Sequence, residues 1–280
     1  MRPAGPGGFA ASMRFEPVQF SVLGPLRVTV GGRDVRLGPL KQQLALLMLL
    51  LRANQVVPFA AHCEAVWGDP PPSAESNLRT YLAALRRSMG DRPPRRLAWR
   101  GCGYQLTVRP GELDLHLFEE HAARGETALA RGDLAGAVDA LRQALDTWRQ
   151  PEVAVDRCGP RLRLLYEALL DRHAAVVSHY LDAELMRGND VTLVPTLRRI
   201  IADDPTNERH WCRLMIALAR AGDTCHGLAA YRDAYQVLDT QLGVGPGKEL
   251  RWVHQALLTK DARLTGPAGM PWLCRAPAAA

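Results

Sequence analysis

The chain has 280 residues, 47% of them hydrophobic, and a formal net charge of +6, enough for about two domains with packed cores. Its charge is divided unevenly: residues 14–110 carry 14 Lys+Arg against 6 Asp+Glu, a net of +8, whereas residues 111–260 carry 18 against 22, a net of −4. The longest apolar run, Leu44–Leu51 between Lys41 and Arg52, falls short of the roughly 20 residues that span a bilayer, so no membrane helix is expected and the chain reads as cytoplasmic.

Residues 1–13 lack the apolar stretch of a secretion signal and are expected to be disordered, with Met13 an alternative start to Met1. Phe20–Val30 alternates and is rich in β-branched residues, Gly31-Gly32 makes a turn, and Val35–Leu37 is expected to return as a strand. From Pro39 to Arg52 the leucines recur at helical spacing, Asn54 closes the helix, and Gln55–Val57 offers a short strand. A second helix is predicted from Phe59 to Val66, ending at Trp67. The Gly68-Asp69-Pro70-Pro71-Pro72 stretch then forbids helix, because proline lacks an N–H and restricts its predecessor.

Ser73 is the expected N-cap of a third helix running to Met89, with Glu75 complementing the helix dipole. On a helical wheel Leu78, Tyr81, Leu82, Leu85 and Met89 form one apolar stripe. The opposite face carries Ser76, Asn77, Thr80, Ala83, Ala84 and Arg87, flanked by Arg79 and Arg86. Small residues there allow close approach to a surface, while Asn, Thr and Arg supply hydrogen bonds to bases and phosphates. Two alternating strands then flank Gly101 and Gly103, a hairpin with Arg100 at its tip. Between Arg79 and Arg109 stand eight arginines and one acid, Asp91, which on charge alone fits equally the electrostatic footprint of a nucleic-acid-binding domain and a solvated Arg-rich surface.

Sheet, three helices and hairpin make a winged helix-turn-helix, and the residues carry a family likeness. RGCGYQL at the hairpin resembles the wing motif of OmpR/PhoB-type winged helices, and SNLRTYLAALRRSMG resembles their recognition helix. The resemblance implies that Arg100 enters the minor groove, that Asn77, Arg79 and Thr80 lie on the recognition face, and that Arg86 and Arg87 sit near the DNA backbone. Arg79, Arg86, Arg87, Arg95 and Arg96 are expected to contact phosphates, and Asn77, Thr80 and Arg87 to read base edges. Ala83, Ala84 and Ala98 depart from the family pattern, so the bases read are expected to differ.

Residues 111–260 read as nearly all helix. A similar element recurs as Leu129–Asp133, Leu185–Asp190 and Leu218–Asp223, with Gly188 and Gly222 34 residues apart, the period of tetratricopeptide helix pairs. Gly132 lies 56 residues before Gly188, so an extra segment around Pro151–Pro160 interrupts the array. Residues 261–280 are expected to form a disordered tail.

The order of these pieces is similar to that of the Streptomyces antibiotic regulatory protein (SARP) family. The likeness is carried by LGPLRVTVGGRDVRLGPLKQQLALLMLLLRANQVV, by AVWGDPP at 65–71, by GELDL at 111–115 and by LGVGPGKEL at 242–250. It implies a mostly α chain: an OmpR-type α+β winged helix followed by an all-α, tetratricopeptide-like bacterial transcriptional activation domain. It further implies a pathway-specific activator of a secondary-metabolite (antibiotic) gene cluster. Such a protein would bind double-stranded DNA at tandem direct repeats near the −35 element, as a dimer on DNA, and recruit RNA polymerase through its sigma and alpha subunits. Control by a phosphorylated receiver domain is not expected.

An enzyme is the first competing reading. Gly243–Lys248 superficially suggests a phosphate loop, but a P-loop needs Gly where Leu242 stands and Ser or Thr where Glu249 stands. The six cysteines show no Cys-x-x-Cys pair, and the His62-Cys63 and Cys225-His226 neighbours are too isolated for a four-ligand zinc site. No cofactor or metal is therefore expected, and His210 and His254 are read as surface or cap residues. The second alternative is a helical-repeat adaptor whose basic domain is merely structural; it gives no reason for arginines at the wing.

Overall fold

Alternation builds the first sheet of the computed structural model, which describes residues 17–91, 95–149, 155–265 and 270. In β1 (Val18–Ser21) Val18 and Phe20 are buried while Gln19 faces outward. Antiparallel β2 (Arg27–Val30) pairs with it from Val18↔Val30 to Ser21↔Arg27, and β3 (Arg33–Asp34) completes the order β1-β2-β3. Gly31 and Gly32 both hold positive φ, 57° and 78°, as the type I′ hairpin turn demands. That turn starts the return strand at Arg33, two residues earlier than the expected Val35–Leu37.

Helix α1 (Leu40–Leu51) is buried without interruption from Leu44 to Leu50, as a helix apolar on all sides must be. Asn54 ends the segment in the left-handed region and ties it to the chain at residue 108, donating Nδ2–H to the Val108 carbonyl and accepting the Val108 N–H. Next come β4 (Val57–Pro58), α2 (Phe59–Trp67), α3 (Ala74–Ser88), β5 (Leu97–Arg100) and β6 (Gly103–Leu106). These strands form an antiparallel sheet in the order β4-β6-β5. Gly103 has to be glycine, since a Cβ there would come within 1.9 Å of the Val57 carbonyl oxygen.

Contacts divide the chain into two units, and residues 146–171 group with residues up to 119. Of the segment read as an interruption of the repeats, the described residues 155–160, like Arg149 before it, lie against the winged helix. The Arg149 N–H donates to Leu23 O at 2.7 Å, the Gly159 N–H to Ala65 O at 2.9 Å, and Lys41 Nζ to both Val66 O and Arg157 O. A Cβ at Gly159 would lie 1.8 Å from the Glu64 carbonyl oxygen, so the Gly-Pro pair marks close backbone packing rather than a gap.

The second unit, 120–145 with residues from 172 onward, is helical. It draws on α4 (Asp114–Ala130), α5 (Leu134–Asp146), α6 (Pro160–Met186), α7 (Asp190–Asp203), α8 (Glu208–Arg220), α9 (Thr224–Leu242) and α10 (Lys248–Leu258). Gly132, Gly188 and Gly222 each hold φ near +80°, and the residue after each donates its N–H to a carbonyl five residues back. That is the Schellman ending, which needs a left-handed residue at the turn. Helix α8 is buried along most of its length, and fully buried Arg213 pairs with Asp182 at 2.8 and 3.1 Å. His210 is buried beside Arg213, not a surface residue, and His254 stacks on the Tyr231 ring at 3.8 Å.

The chain past residue 260 is not uniformly a tail. Leu264, in a 3-10 turn (Ala262–Thr265), and Met270 are buried in the second unit's core, and Arg220 Nε donates to the Leu264 carbonyl. The remaining tail residues 266–269 and 271–280, like the N-terminal segment 1–13, lie outside the described residues.

Candidate nucleic-acid interface

Helix α3, which the sequence likens to a recognition helix, buries Ala74, Leu78, Leu82 and Leu85, with Met89 just beyond. Tyr81, expected in that stripe, lies at its half-exposed edge and stacks on Trp67 at 6.2 Å. Opposite the stripe Ser76, Thr80 and Arg87 are exposed, and Ala83 and Ala84 are partly so. Ser73 does not cap the helix with its side chain; its Oγ instead accepts a hydrogen bond from Asn77 Nδ2 at 3.2 Å. Asn77 is thereby half-buried at the entry turn rather than fully outward. The Thr80 hydroxyl donates to Ser76 O at 2.9 Å. It keeps its lone pairs and methyl group available to a partner.

The wing is a hairpin whose closing pair is Arg100↔Gly103. Gly101 takes φ +61°, the glycine-first pattern of a type II′ turn, and Arg100 is exposed at its shoulder. Asp91, the single acid in this stretch, shapes the entry to β5 by accepting the backbone N–H groups of Arg96 and Leu97.

The predicted site arginines divide into two groups. Arg87, Arg95 and Arg100 are exposed, and among the described residues none of them forms an ion pair. Arg79 is also exposed, its guanidinium 4.8 Å above the Phe59 ring. Arg86 is partly buried, donates Nε–H to Leu97 O at 2.8 Å and lies 5.3 Å over the Tyr104 ring, bracing the wing against α3. Arg96 departs furthest from its expected phosphate role. It forms a bidentate pair with Glu112 at 2.5 and 2.7 Å, each side chain only 14% exposed. Burial alone would raise the Glu112 carboxyl, but hydrogen bonds from Arg96 and the Arg109 N–H outweigh it and hold the group below its ordinary range. A guanidinium whose fork is filled by a carboxylate is a bracket for the hairpin base.

Sequence reasoning missed the aromatic cluster between helix and wing. Phe59, Trp99 and Tyr104 meet with centroids 5.2 to 6.2 Å apart. Its signal was present: Tyr104 belongs to the wing motif, and Trp99 shares the Leu97 face of β5 by strand alternation.

No group of three His, Cys, Asp or Glu among the described residues is placed to hold a metal ion. His62 is buried with its pKa lowered to about 4 by desolvation, and His226 is paired with Asp223. The glycine loop before α10 turns its Gly247 N–H onto the Glu208 carboxylate at 2.7 Å, an acid where a phosphate loop would hold its anion. No helix among the described residues is long and apolar enough to cross a membrane.

The profile of the bacterial transcriptional activator domain matches residues 113–258. Regulatory protein DnrI of Streptomyces peucetius is 32% identical over 253 residues, covering 87% of this chain and 93% of DnrI. Regulatory protein AfsR of Streptomyces coelicolor is 33% identical over 261 residues, 92% of this chain but only 26% of AfsR. Among solved structures, Mycobacterium tuberculosis EmbR in complex with a low affinity phosphopeptide superposes with a TM-score of 0.81 at 27% identity, over 92% of this chain and 70% of EmbR.

Proposed function

The chain belongs to the SARP family of transcriptional regulators, and from that premise we propose that it is a cytoplasmic, sequence-specific DNA-binding activator of a secondary-metabolite gene cluster. The observation that carries the DNA-binding reading is the pairing of an outward α3 face, Ser76, Thr80, Ala83 and Arg87, with exposed Arg100 on the adjoining wing. Small and hydrogen-bonding groups suit a helix entering the major groove, and an arginine suits the stronger negative potential of a narrow minor groove. Arg79, Arg87 and Arg95 supply phosphate contacts, Thr80 and Arg87 reach base edges, and Asn77 orders the entry turn from which it reads. Neither Arg96 nor Arg86 is counted among the primary contacts in this reading.

The target is a tandem direct repeat near a −35 element, where two subunits lie side by side with half-sites about one helical turn apart. The helical-repeat unit supplies self-association there and contacts RNA polymerase through its sigma and alpha subunits. A footprint of the full chain across the promoters flanking its own gene tests this. Protection of two adjacent repeats upstream of a start site is the expected result. Uniform, sequence-independent protection would leave only a non-specific basic surface.

A further inference from the structure

Among the described residues, Arg79 is the one exposed arginine of this interface held by an aromatic ring, and it has a competitor for its charge. Its guanidinium stands 4.8 Å from the Phe59 centroid, while Glu75, one turn back on α3, reaches it only at 3.9 Å. Phe59 is itself fixed to the wing. Its N–H donates to Cys102 O at 3.0 Å, and its ring meets Trp99 at 5.9 Å and Tyr104 at 6.2 Å. One half-buried side chain thus connects the wing turn with the flank of the recognition helix.

Resting on the DNA-binding reading above, we propose that Phe59 is a positioning residue for a phosphate contact made by Arg79. The ring's negative face attracts the guanidinium and keeps it off Glu75, on the flank that the wing also borders. Without an aromatic face, Arg79 collapses onto Glu75, and a neutralised cation displaces no counterion from a phosphate. Leucine in place of Phe59 retains apolar bulk but has no such face; tyrosine retains it.

The test titrates the full chain with a fluorescent random-sequence duplex from 50 to 200 mM salt, so no operator need be known. Each phosphate neutralised contributes about −0.9 to the log–log salt slope. Phe59→Leu should flatten the slope by up to about 0.9 and weaken binding about two- to fivefold. Arg79→Gln should flatten it similarly, Phe59→Leu should add nothing in that background, and Phe59→Tyr should restore the parent slope. Glu75→Gln should rescue Phe59→Leu. Thermal melts establish that each variant is folded, and Phe59→Met replaces Phe59→Leu if the latter melts near the assay temperature. The proposal is overturned if Phe59→Leu keeps the parent slope while Arg79→Gln loses it. An unchanged slope in Arg79→Gln removes Arg79 from the interface and the proposal with it. If the parent chain binds no duplex at all, the DNA-binding reading itself has failed.

Discussion

Replacing Arg96 with alanine separates a bracket from a phosphate ligand. In the folded chain the two terminal guanidinium nitrogens each donate to one Glu112 oxygen, at 2.5 and 2.7 Å, and each side chain is 14% exposed. Removing one partner of a buried pair costs 3–5 kcal/mol because the other charge is left uncompensated; the residual exposure and the Arg109 N–H that Glu112 still accepts reduce this to about 2–3 kcal/mol. With a urea dependence of about 1–3 kcal/mol/M, the unfolding midpoint of the first unit should fall by about 0.7–3 M. The effect has a pH signature. Glu112 titrates below its unfolded value of 4.5 in the folded chain, so the pair's stabilisation is full above that value and is lost as pH falls through the lowered folded pKa. Parent and Arg96→Ala should therefore converge in acid. Under conditions where both are folded, the variant should keep the parent's salt slope for DNA. An unchanged urea midpoint together with a slope flattened by about 0.9 would refute the bracket and return Arg96 to the phosphates.

Three further outcomes follow from particular contacts. His62, buried with a folded pKa of about 4 against 6.5 unfolded, gives stability that is whole above pH 6.5 and declines towards pH 4. The loss is about 3 kcal/mol at 1.36 kcal/mol per pKa unit, and calorimetry of His62→Gln should show a flatter acid limb for the first unit. Gly159→Ala forces a Cβ to 1.8 Å from Glu64 O and strains the Gly159–Ala65 hydrogen bond; overpacking of this kind costs about 1–3 kcal/mol, read as a lower melting temperature of the winged-helix unit. Thr80→Ala should lower affinity for the footprinted repeat by about 1–3 kcal/mol per lost base contact, while binding to random duplex in the same titration stays unchanged.

Much of the winged helix was legible because its signals are local. Alternation gave the strands, leucine spacing gave α1, three prolines bounded α3, and the two glycines at 101 and 103 gave the wing. The turn glycines of the helical unit were equally readable, since each Schellman ending is specified by neighbours in sequence. What escaped was long-range. Nothing near Arg96 in sequence reveals Glu112 as its partner, sixteen residues on. Nor does a Pro- and Gly-bearing stretch announce that Gly159 backs onto the carbonyls of α2. Leu264 and Met270 sit in a stretch whose composition suggests a tail, yet each fills a core position supplied by helices far upstream.

The same distinction sets how strongly salt should oppose DNA binding. A count from sequence gives six site arginines, 79, 86, 87, 95, 96 and 100, and at about −0.9 per phosphate a slope near −5.4 per subunit. The structure places the Arg96 fork on Glu112 and the Arg86 Nε and ring-facing surface on Leu97 and Tyr104. Four exposed cations remain, Arg79, Arg87 and Arg95 for phosphates and Arg100 for the minor groove; with each displacing one counterion the slope is about −3.6 per subunit and about twice that for a pair side by side. Titration between 50 and 200 mM salt, with the stoichiometry fixed by sedimentation, distinguishes the two values. A slope near −5.4 per bound subunit would mean that Arg86 and Arg96 leave their protein partners on DNA. That exchange is unfavourable for Arg96, because it would leave the Glu112 carboxylate buried without its counter-charge.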